Sequence, residues 1–328
     1  MLRSMYSGIG GMKNFQTKLD VIGNNIANVN TYGFKKGRVV FKDLFSQQIS
    51  GASGPSASKG GVNPRQVGLG SQLAAIDTID TPGSIQSTGR TLDLAISGDG
   101  FFMVGNGILN KADTENGEWA PNTFDEGTAL PDVSYTRAGN FYFDKEGFIV
   151  NSDGLYVMGL AAESDDTTPD DVQITYDENG IPAIDGGLSV DGLGTIRIPT
   201  NAQSYSIGAD GLVNYINKDG ELRVAGIISI GKFPNNGGLE KVGENLYKAS
   251  ANSGVHEVFP EGAFTTDNLY FPGENGAGKI AAGALEMSNV DLSEEFTEMI
   301  VAQRGFQANT KIITTSDEIL QELVNLKR

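Results

Sequence analysis

LSEEFTEMIVAQRGFQANTKIITTSDEILQELVNL, residues 292–326, is the most regular stretch of the chain. A seven-residue apolar repeat of this kind keeps one stripe of an α-helix facing a partner helix. At ~1.5 Å per residue the helix would be about 50 Å long, so it would need a partner along its length. The repeat consists of Leu292, Met299, Phe306, Ile313 and Leu320.

A second apolar line accompanies the first only at the two ends of this stretch, at Phe296 and Val324. Between these ends the line is polar, at Gln303, Thr310 and Asp317. Asp291 stands where a helix N-cap would, and Glu294, three residues later, fits the pattern of a capping box. We therefore expect one amphipathic helix that begins directly after Asp291.

A matching pattern occupies the other end of the chain, residues 2–29. Its full apolar line consists of Met5, Met12, Leu19 and Ile26. A second line starts with Leu2 and Ile9 and then becomes polar or small. The two helices are expected to pair as a coiled-coil-like layer and to pack between subunits through these lines. An ordinary pair of terminal helices that closes a single domain would give the same pattern.

The first of these helices is rich in glycine, with Gly8, Gly10, Gly11 and Gly23. Each glycine costs roughly 1 kcal/mol relative to alanine in a helix interior. The helix is therefore expected to gain most of its stability from packing, either within one molecule or between molecules.

The composition argues against several classes of protein. The formal charge of −17 in 328 residues disfavours nucleic-acid binding, because phosphates require a basic surface. The chain has no cysteine, which excludes disulfides and thiolate chemistry. No apolar run approaches the roughly 20 residues that a membrane span requires. The first residues lack the apolar core of a signal peptide, so we expect no membrane insertion and, for an exported protein, a route other than general secretion.

From about Ile76 the apolar period changes to two, as in β-strands. Asp-Gly steps, which supply the positive φ of tight hairpin turns, begin at residues 99, 153, 210 and 219. As calcium loops they would need the order D-x-D-x-D-G, which none of them has. The expected fold class is α+β, with long terminal helices and a central, mainly antiparallel β domain of many short strands. The runs are Leu92–Ile96, Phe101–Val104, Asn140–Phe143, Phe148–Val150, Leu155–Met158, Gln173–Tyr176, Thr195–Ile198, Tyr205–Ile207, Leu212–Ile216 and Val224–Phe233.

Several blocks of the sequence resemble signatures of the bacterial flagellar rod and hook proteins. NNIANVNT, residues 24–31, followed by GFK, residues 33–35, is similar to the N-terminal signature of that family. The residues that carry this similarity are Asn24, Asn25, Asn28, Asn30, Gly33 and Phe34.

The remaining blocks follow in the order that the family keeps. TGRTLDLAISGDGFF, residues 88–102, and YTRAGNFY, residues 135–142, resemble its central blocks. SNVDL, residues 288–292, and MIVAQRGFQAN, residues 299–309, resemble its C-terminal signature, to which Gln303 and Arg304 belong. The similarity thus reaches both ends and the middle of the chain.

The resemblance implies a structural subunit of the flagellar hook, which polymerises through its terminal helices into a flexible tube that joins rod to filament and transmits torque. The alternative within the family is the distal rod protein of the basal body. Three local features favour the hook: the block at residues 302–306, the ending at 323–328 and the block at 88–90. The implied partners are further copies of the chain, the distal rod, the hook cap, hook–filament junction proteins and the flagellar export apparatus.

The segment at residues 31–75 is the most basic part of the chain and contains a long loop at 50–70. We expect a solvated linker, whose charge would suit an acidic face of a neighbouring subunit. Within it, FKDLF resembles the short export signal of flagellar substrates, with Phe41 and Phe45 as the candidate residues. Two aromatic residues four apart also simply form one face of a helix.

The expected organisation has three parts. Residues 1–30 and 288–328 would form a terminal helical (inner-tube) domain, 31–75 a connecting segment and 76–287 a β-rich outer domain. Three loop excursions of that outer domain are each too short for a separate core. They lie at about 106–131, 161–191 and 251–278.

We find no candidate catalytic, cofactor or metal site. His256, the one histidine, has no nucleophile motif around it. A cluster of acidic residues lies in a Thr- and Pro-rich run that is typical of a solvated loop: Asp165, Asp166, Asp170 and Asp171. A secreted β-rich hydrolase would act through its isolated β domain, whereas an assembly protein requires its terminal helices. A β-rich adhesin would leave the paired helices unexplained.

Overall fold

The computed structural model describes residues 2–55, 58–106, 132–161, 173–176, 182–185, 194–254, 270–273 and 276–326. The chain divides into two compact units. Unit 1 consists of Met1–Val29, Lys35–Ile79 and Val290–Arg328. Unit 2 consists of Asn30–Phe34 and Asp80–Asn289. The three-part division expected from the sequence stays a prediction.

Unit 1 contains the two terminal helices and two antiparallel strand pairs. The helices pack against each other, and strands β1 and β4 both contact the first helix. The pairs are β1 with β4 and β2 with β3. The elements are α1 (Leu2–Ala27), β1 (Gly37–Asp43), β2 (Ser46–Ser50), β3 (Arg65–Gly68), β4 (Ser71–Thr78) and α2 (Leu292–Asn325).

Both terminal helices are confirmed, and α2 begins where its cap residue predicts. The Asp291 carboxylate accepts hydrogen bonds from the backbone N–H groups of Ser293 at 2.8 Å and Glu294 at 3.3 Å. These bonds satisfy amides that have no partner within the helix.

The prediction of a solvated linker at residues 31–75 is wrong about the backbone, because much of this segment forms strands. Strands β1 to β4 cover much of this segment, including part of the predicted loop at 50–70. Period-two patterning missed them because β2 and β3 expose every residue along their length and therefore carry no apolar face.

Unit 2 is built from short strands and one 3₁₀ turn. The first nine strands are β5 (Ile85–Ser87), β6 (Leu94–Ser97), β7 (Phe101–Asn106), β8 (Asp132–Thr136), β9 (Tyr142–Phe143), β10 (Ile149–Val150), β11 (Tyr156–Ala161), β12 (Gln173–Tyr176) and β13 (Pro182–Asp185). The others are β14 (Gly194–Thr195), β15 (Ser204–Ile207), β16 (Leu212–Ile216), β17 (Leu222–Ile228), β18 (Ile230–Gly231), β19 (Glu240–Gly243), β20 (Leu246–Lys248), β21 (Lys279–Ala282) and β22 (Ala284–Glu286). The 3₁₀ turn is Asn236–Gly238.

The largest sheet in the described part of unit 2 has twelve strands, and all its pairings are antiparallel. Its main path runs β15-β16-β17-β11-β7-β8-β20-β19, and β9, β10, β14 and β18 attach beside it. Three further two-stranded pairs are β5–β22, β6–β21 and β12–β13. The predicted antiparallel β domain is therefore confirmed.

Strand β7 shows how the core of unit 2 is built. Phe102 and Val104 pack in one apolar cluster, while Phe101 and Met103 pack in another. Successive side chains of a strand point to opposite faces, so both faces of the sheet are buried here. A continuous apolar run such as FFMV is typical of a strand buried on both sides.

The predicted Asp-Gly turns are found with positive φ. Gly154, Gly211 and Gly220 have φ of 82°, 80° and 83°. They lie between the paired strands β10 and β11, β15 and β16, and β16 and β17. Gly100, with φ of 129°, instead precedes β7, whose preceding strand β6 pairs elsewhere.

Most of the predicted excursions lie outside the described residues. This applies to residues 107–131, 162–172, 177–181, 186–193 and 255–269. Trp119, His256 and the acidic residues Asp165, Asp166, Asp170 and Asp171 are among them.

Candidate functional site: the paired terminal helices

The contact between α1 and α2 follows a regular spacing of three and four residues on both helices, as in coiled coils. On α1 the buried or half-buried residues of this line are Gly8, Gly11, Phe15, Lys18, Ile22 and Asn25. On α2 they are Glu295, Met299, Ala302, Phe306, Asn309, Ile313, Ser316 and Leu320.

Glycine lies at the contact between the two helices at three positions, and at two of them a Cβ atom would be too close to the other helix. A Cβ atom on Gly305 would lie 2.6 to 2.9 Å from three carbons of the Phe15 ring, closer than atoms can pack. A Cβ on Gly11 would lie 2.6 Å from the Asn309 side-chain nitrogen. At Gly8 it would make ordinary contacts, 3.5 Å from α2. Part of the glycine content therefore serves packing within one molecule.

The structure corrects the second apolar line predicted on α2. Phe296 and Val324 are 50% and 66% exposed, and the positions between them are also exposed. The line that accompanies the heptad residues at the interface is instead Glu295, Ala302, Asn309 and Ser316. A search for apolar residues passes over such small and polar side chains.

The predicted first lines are found at or beside the interface. Met299, Phe306, Ile313 and Leu320 are half-buried, whereas Leu292 is exposed. On α1 the half-buried residues of the predicted lines flank the glycine-containing line: Met5, Ile9, Met12, Leu19 and Ile26. The Leu2 side chain is outside the described part. Whether these residues also pack between subunits stays a prediction.

The asparagine-rich signature divides into two roles. Asn25 is buried and binds both the chain at Gly37 and the Glu295 carboxylate. Asn28 donates from its amide to the backbone and side-chain oxygens of Asn24, at 2.9 and 3.0 Å, and so closes the end of α1. Asn30 is exposed.

The other signature residues at this end lie in unit 2. Gly33 has φ of 69°, and a Cβ there would lie 2.6 Å from the backbone nitrogen of Ala138. Only glycine combines this conformation with so close an approach. Phe34 is buried, with the Lys241 ammonium 5.3 Å from its ring centre. On α2, Gln303 and Arg304 are exposed.

The two candidate export residues have different surroundings. Phe41 lies in β1 and packs edge-on against Phe15, with ring centres 6.1 Å apart. Phe45 lies between β1 and β2 and is 86% exposed. The alternative of a helical face is wrong, because this segment is extended. The export role stays a prediction.

A stripe of exposed apolar residues runs along α2, about a quarter of a turn from the line that faces α1. It consists of Val301, Ile312, Ile319 and Leu323. An apolar stripe of this length on a helix marks a surface that another protein can cover.

Sequence reasoning missed a buried ion pair in unit 2. The Arg137 guanidinium lies 3.2 Å from the Glu286 carboxylate, and both side chains are 1% exposed. Arg137 also donates to the Gly98 carbonyl at 2.9 Å, and Glu286 accepts from the Gly83 N–H at 3.0 Å. Arg137 belongs to the block YTRAGNFY, so the family resemblance pointed to this residue but not to its partner Glu286.

Among the described residues, no group of three or more acidic or histidine side chains could hold a metal ion. No helix in that part of the chain is both long and apolar enough to cross a membrane.

Long paired terminal helices and a separate β-rich unit, with an apolar stripe exposed on one helix, are typical of a subunit of an assembly. Three family models match the chain: the flagella basal body rod protein at residues 5–35, the flagellar hook protein FlgE/F/G D1 domain at 126–215 and the flagellar basal body rod FlgEFG protein C-terminal at 281–326. The chain belongs to this family of structural proteins of the flagellar rod and hook.

Curated relatives from both branches of the family align over their whole length. The flagellar basal-body rod protein FlgG of Bacillus subtilis is 52% identical over 328 residues, covering all of both chains. The flagellar hook protein FlgE of Borreliella burgdorferi is 35% identical over 456 aligned positions, again covering all of both chains. The FlgG protein of the same organism is 33% identical over 332 positions and covers all of both chains.

Proposed function

We propose that the chain is a subunit of the distal rod of the flagellum. The observation that carries this proposal is the 52% identity to a rod protein over 328 positions, without the long gaps that the hook proteins require. The alignment with the Borreliella hook protein extends over 456 positions, well beyond the 328 residues of this chain. Hook proteins of that branch therefore carry insertions that this chain lacks.

The hook is the second candidate. It is supported by the local blocks at residues 88–90, 302–306 and 323–328, and by full-length hook relatives at 35% and 30% identity. These blocks are short, and identity over the whole chain outweighs them.

We further propose that the subunit assembles with copies of itself through its terminal helices. The exposed stripe of α2 supports this, because a helix with apolar residues on two faces requires a partner on each. One of these faces packs on α1 and the other is exposed. Heterologous contacts that do not close generate an open helical filament. Neighbouring rod and hook proteins and the export apparatus are the further proposed partners.

Immunogold labelling of purified flagellar bases, seen by electron microscopy, tests the placement. Label on the straight shaft that passes through the envelope is expected for the distal rod. Label along the curved segment outside the envelope would replace the rod by the hook. A flagellar base without label would contradict both.

A further inference from the structure

A cavity of about 150 Å³ lies within unit 1, where α1, α2 and the start of β1 meet. Its charged lining consists of Lys18, Lys36, Arg38, Glu294, Glu295 and Glu298. Glu295 is 6% exposed, whereas Glu294 and Glu298 are exposed.

The Asn25 amide joins the three elements around this cavity. Its nitrogen donates to the Gly37 carbonyl at 2.9 Å and to the Glu295 carboxylate at 3.2 Å. Its oxygen accepts from the Gly37 N–H at 3.0 Å. A side-chain amide has two N–H donors, so both are used. Glu295 is thus part of a linkage that connects α2 to α1 and to the first residue of β1.

The cations around Glu295 are engaged with other carboxylates. Lys18 on α1 lies 2.9 Å from Glu298, and Lys36 lies 2.8 Å from Glu294. At the start of β1, Arg38 lies 3.4 Å from Asp77 of β4.

The direct partner of the Glu295 carboxylate is therefore the neutral amide of Asn25, and two further carboxylates lie close to it on α2. A buried anion in such a position favours its protonated form. Burial raises the pKa of Glu295, and Glu298 and Glu294 add to that effect. The hydrogen bond from Asn25 and the charge of Lys36 act in the opposite direction.

We propose that Glu295 is a proton-dependent latch of unit 1: the packing of α1, α2 and the start of β1 around this side chain is more stable when the carboxyl carries a proton, because the neutral form costs less to bury, and less stable when the carboxyl is ionised. The sign follows from linkage. A carboxyl that binds its proton more strongly in the folded state gives its full stabilisation below the unfolded pKa of 4.5. That stabilisation is lost as the pH rises through the folded pKa. The free subunit at neutral pH therefore holds its helix pair below full stability.

Hydrogen exchange of the full-length chain, followed by mass spectrometry and corrected for the intrinsic pH dependence of exchange, tests the latch. Protection of peptides from α1, α2 and β1 is expected to be full below pH 4.5 and to fall as the pH rises from there towards neutral, while core peptides of unit 2 are unaffected. The expected change is about tenfold for each pH unit that separates the folded and unfolded pKa values. Equal protection across this range would overturn the proposal.

Matched variants separate the latch from a general charge effect. Glu295→Gln is expected to remove the pH dependence and to give strong protection at neutral pH. Glu298→Gln changes the charge equally, three residues away on the same helix, and is expected to keep the pH dependence. The same loss in both variants would contradict a specific role of Glu295.

An exchange of the two side chains gives a third test. Asn25→Asp places two carboxylates together and is expected to loosen the helix pair at neutral pH. Adding Glu295→Gln restores one amide and one carboxylate, so protection should rise above that of Asn25→Asp alone. It should stay below wild type, because an aspartate at residue 25 cannot donate to the Gly37 carbonyl. No recovery in the double variant would contradict the linkage. Should these variants fail to fold, NMR titration of the wild-type carboxyls still decides, since a Glu295 pKa at or below its ordinary value would refute the latch.

Discussion

At the scale of single residues, the contact of Phe15 with Gly305 has the clearest energetic consequence. The ring occupies the space that a side chain at residue 305 would need. Gly23, also within a helix, has no atom within 4 Å of its would-be Cβ. Replacement by alanine is therefore the same chemical change at both glycines, but the site is crowded at Gly305 and open at Gly23.

Gly305→Ala is expected to lower the free energy of unfolding of unit 1 by about 1–3 kcal/mol, because the added methyl group overpacks the helix contact. Gly23→Ala is expected to raise it by about 0.5–1 kcal/mol through helix propensity alone. Urea unfolding of the free chain, followed by far-ultraviolet circular dichroism, measures both. A stabilising Gly305→Ala would mean that the Phe15 ring can move aside at little cost.

Two buried tyrosines predict the alkaline limit of unit 2. Burial raises the pKa of Tyr135 to about 12 and also raises that of Tyr247. In the unfolded state Tyr135 loses its phenolic proton near the ordinary pKa of 10.0. The contribution of the buried phenol to the free energy of unfolding is therefore complete below pH 10 and is lost between pH 10 and about 12. Tyr135→Phe keeps the ring and should make this fall less steep in urea unfolding. Tyr6→Phe, at an exposed position of α1, is the control and should change nothing.

At the scale of elements, α2 shows what a sequence pattern can and cannot predict. Its start at Leu292 follows from the Asp291 cap, and its heptad line follows from apolar residues seven apart. The residues that share the α1 interface with that line could not be predicted from the pattern, because Ala302, Asn309 and Ser316 are small or polar. Their burial depends on the partner helix, whose Gly8 and Gly11 leave the space.

The strands also divide into those that the sequence predicts and those that it does not. The Asp-Gly steps and apolar runs predicted many strands of unit 2, because burial imposes the period of two. They missed β5, β8, β13, β19, β20, β21 and β22. In unit 1, β2 and β3 are exposed and carry no such period, so their pairing could not be predicted. The Arg137–Glu286 pair escaped for a related reason, since residues distant in sequence meet only in the folded sheet.

The exposed stripe of α2 gives a test of assembly. Val301→Asp is expected to abolish polymerisation while the helix content of the monomer stays unchanged, since Val301 is 58% exposed and both residues have similar helix propensity. Val301→Ile keeps an apolar side chain and should still polymerise. Electron microscopy and sedimentation of the purified chain measure the outcome.

Normal polymers from Val301→Asp would exclude this stripe as a subunit contact. Asp substitutions at Phe306 or Met12 are also expected to block polymerisation, but both residues are half-buried. Such variants would therefore disturb the α1–α2 pair as well, and Val301 separates the two effects.

At the scale of the whole molecule, unit 2 has apolar clusters on both faces of its sheet and should fold without the terminal helices. A fragment of residues 30–289 is expected to unfold cooperatively in urea. Within it, Phe102→Ala should cost about 3–5 kcal/mol, because Phe102 is fully buried. A fragment that lacks a cooperative transition would show that unit 2 depends on the helices and would contradict the proposed independence of the β-rich domain.

The position of the two helices in the sequence sets an order of events during synthesis. Phe15 and Gly305, which meet in the folded chain, are separated by 290 positions. A chain that emerges from its N-terminus thus exposes the glycine-lined face of α1 until nearly all remaining residues have appeared. A chain that ends after residue 289 but before residue 292 has every residue of unit 2 and none of α2. It can therefore fold the β-rich unit but leaves the face of α1 that packs on α2 uncovered.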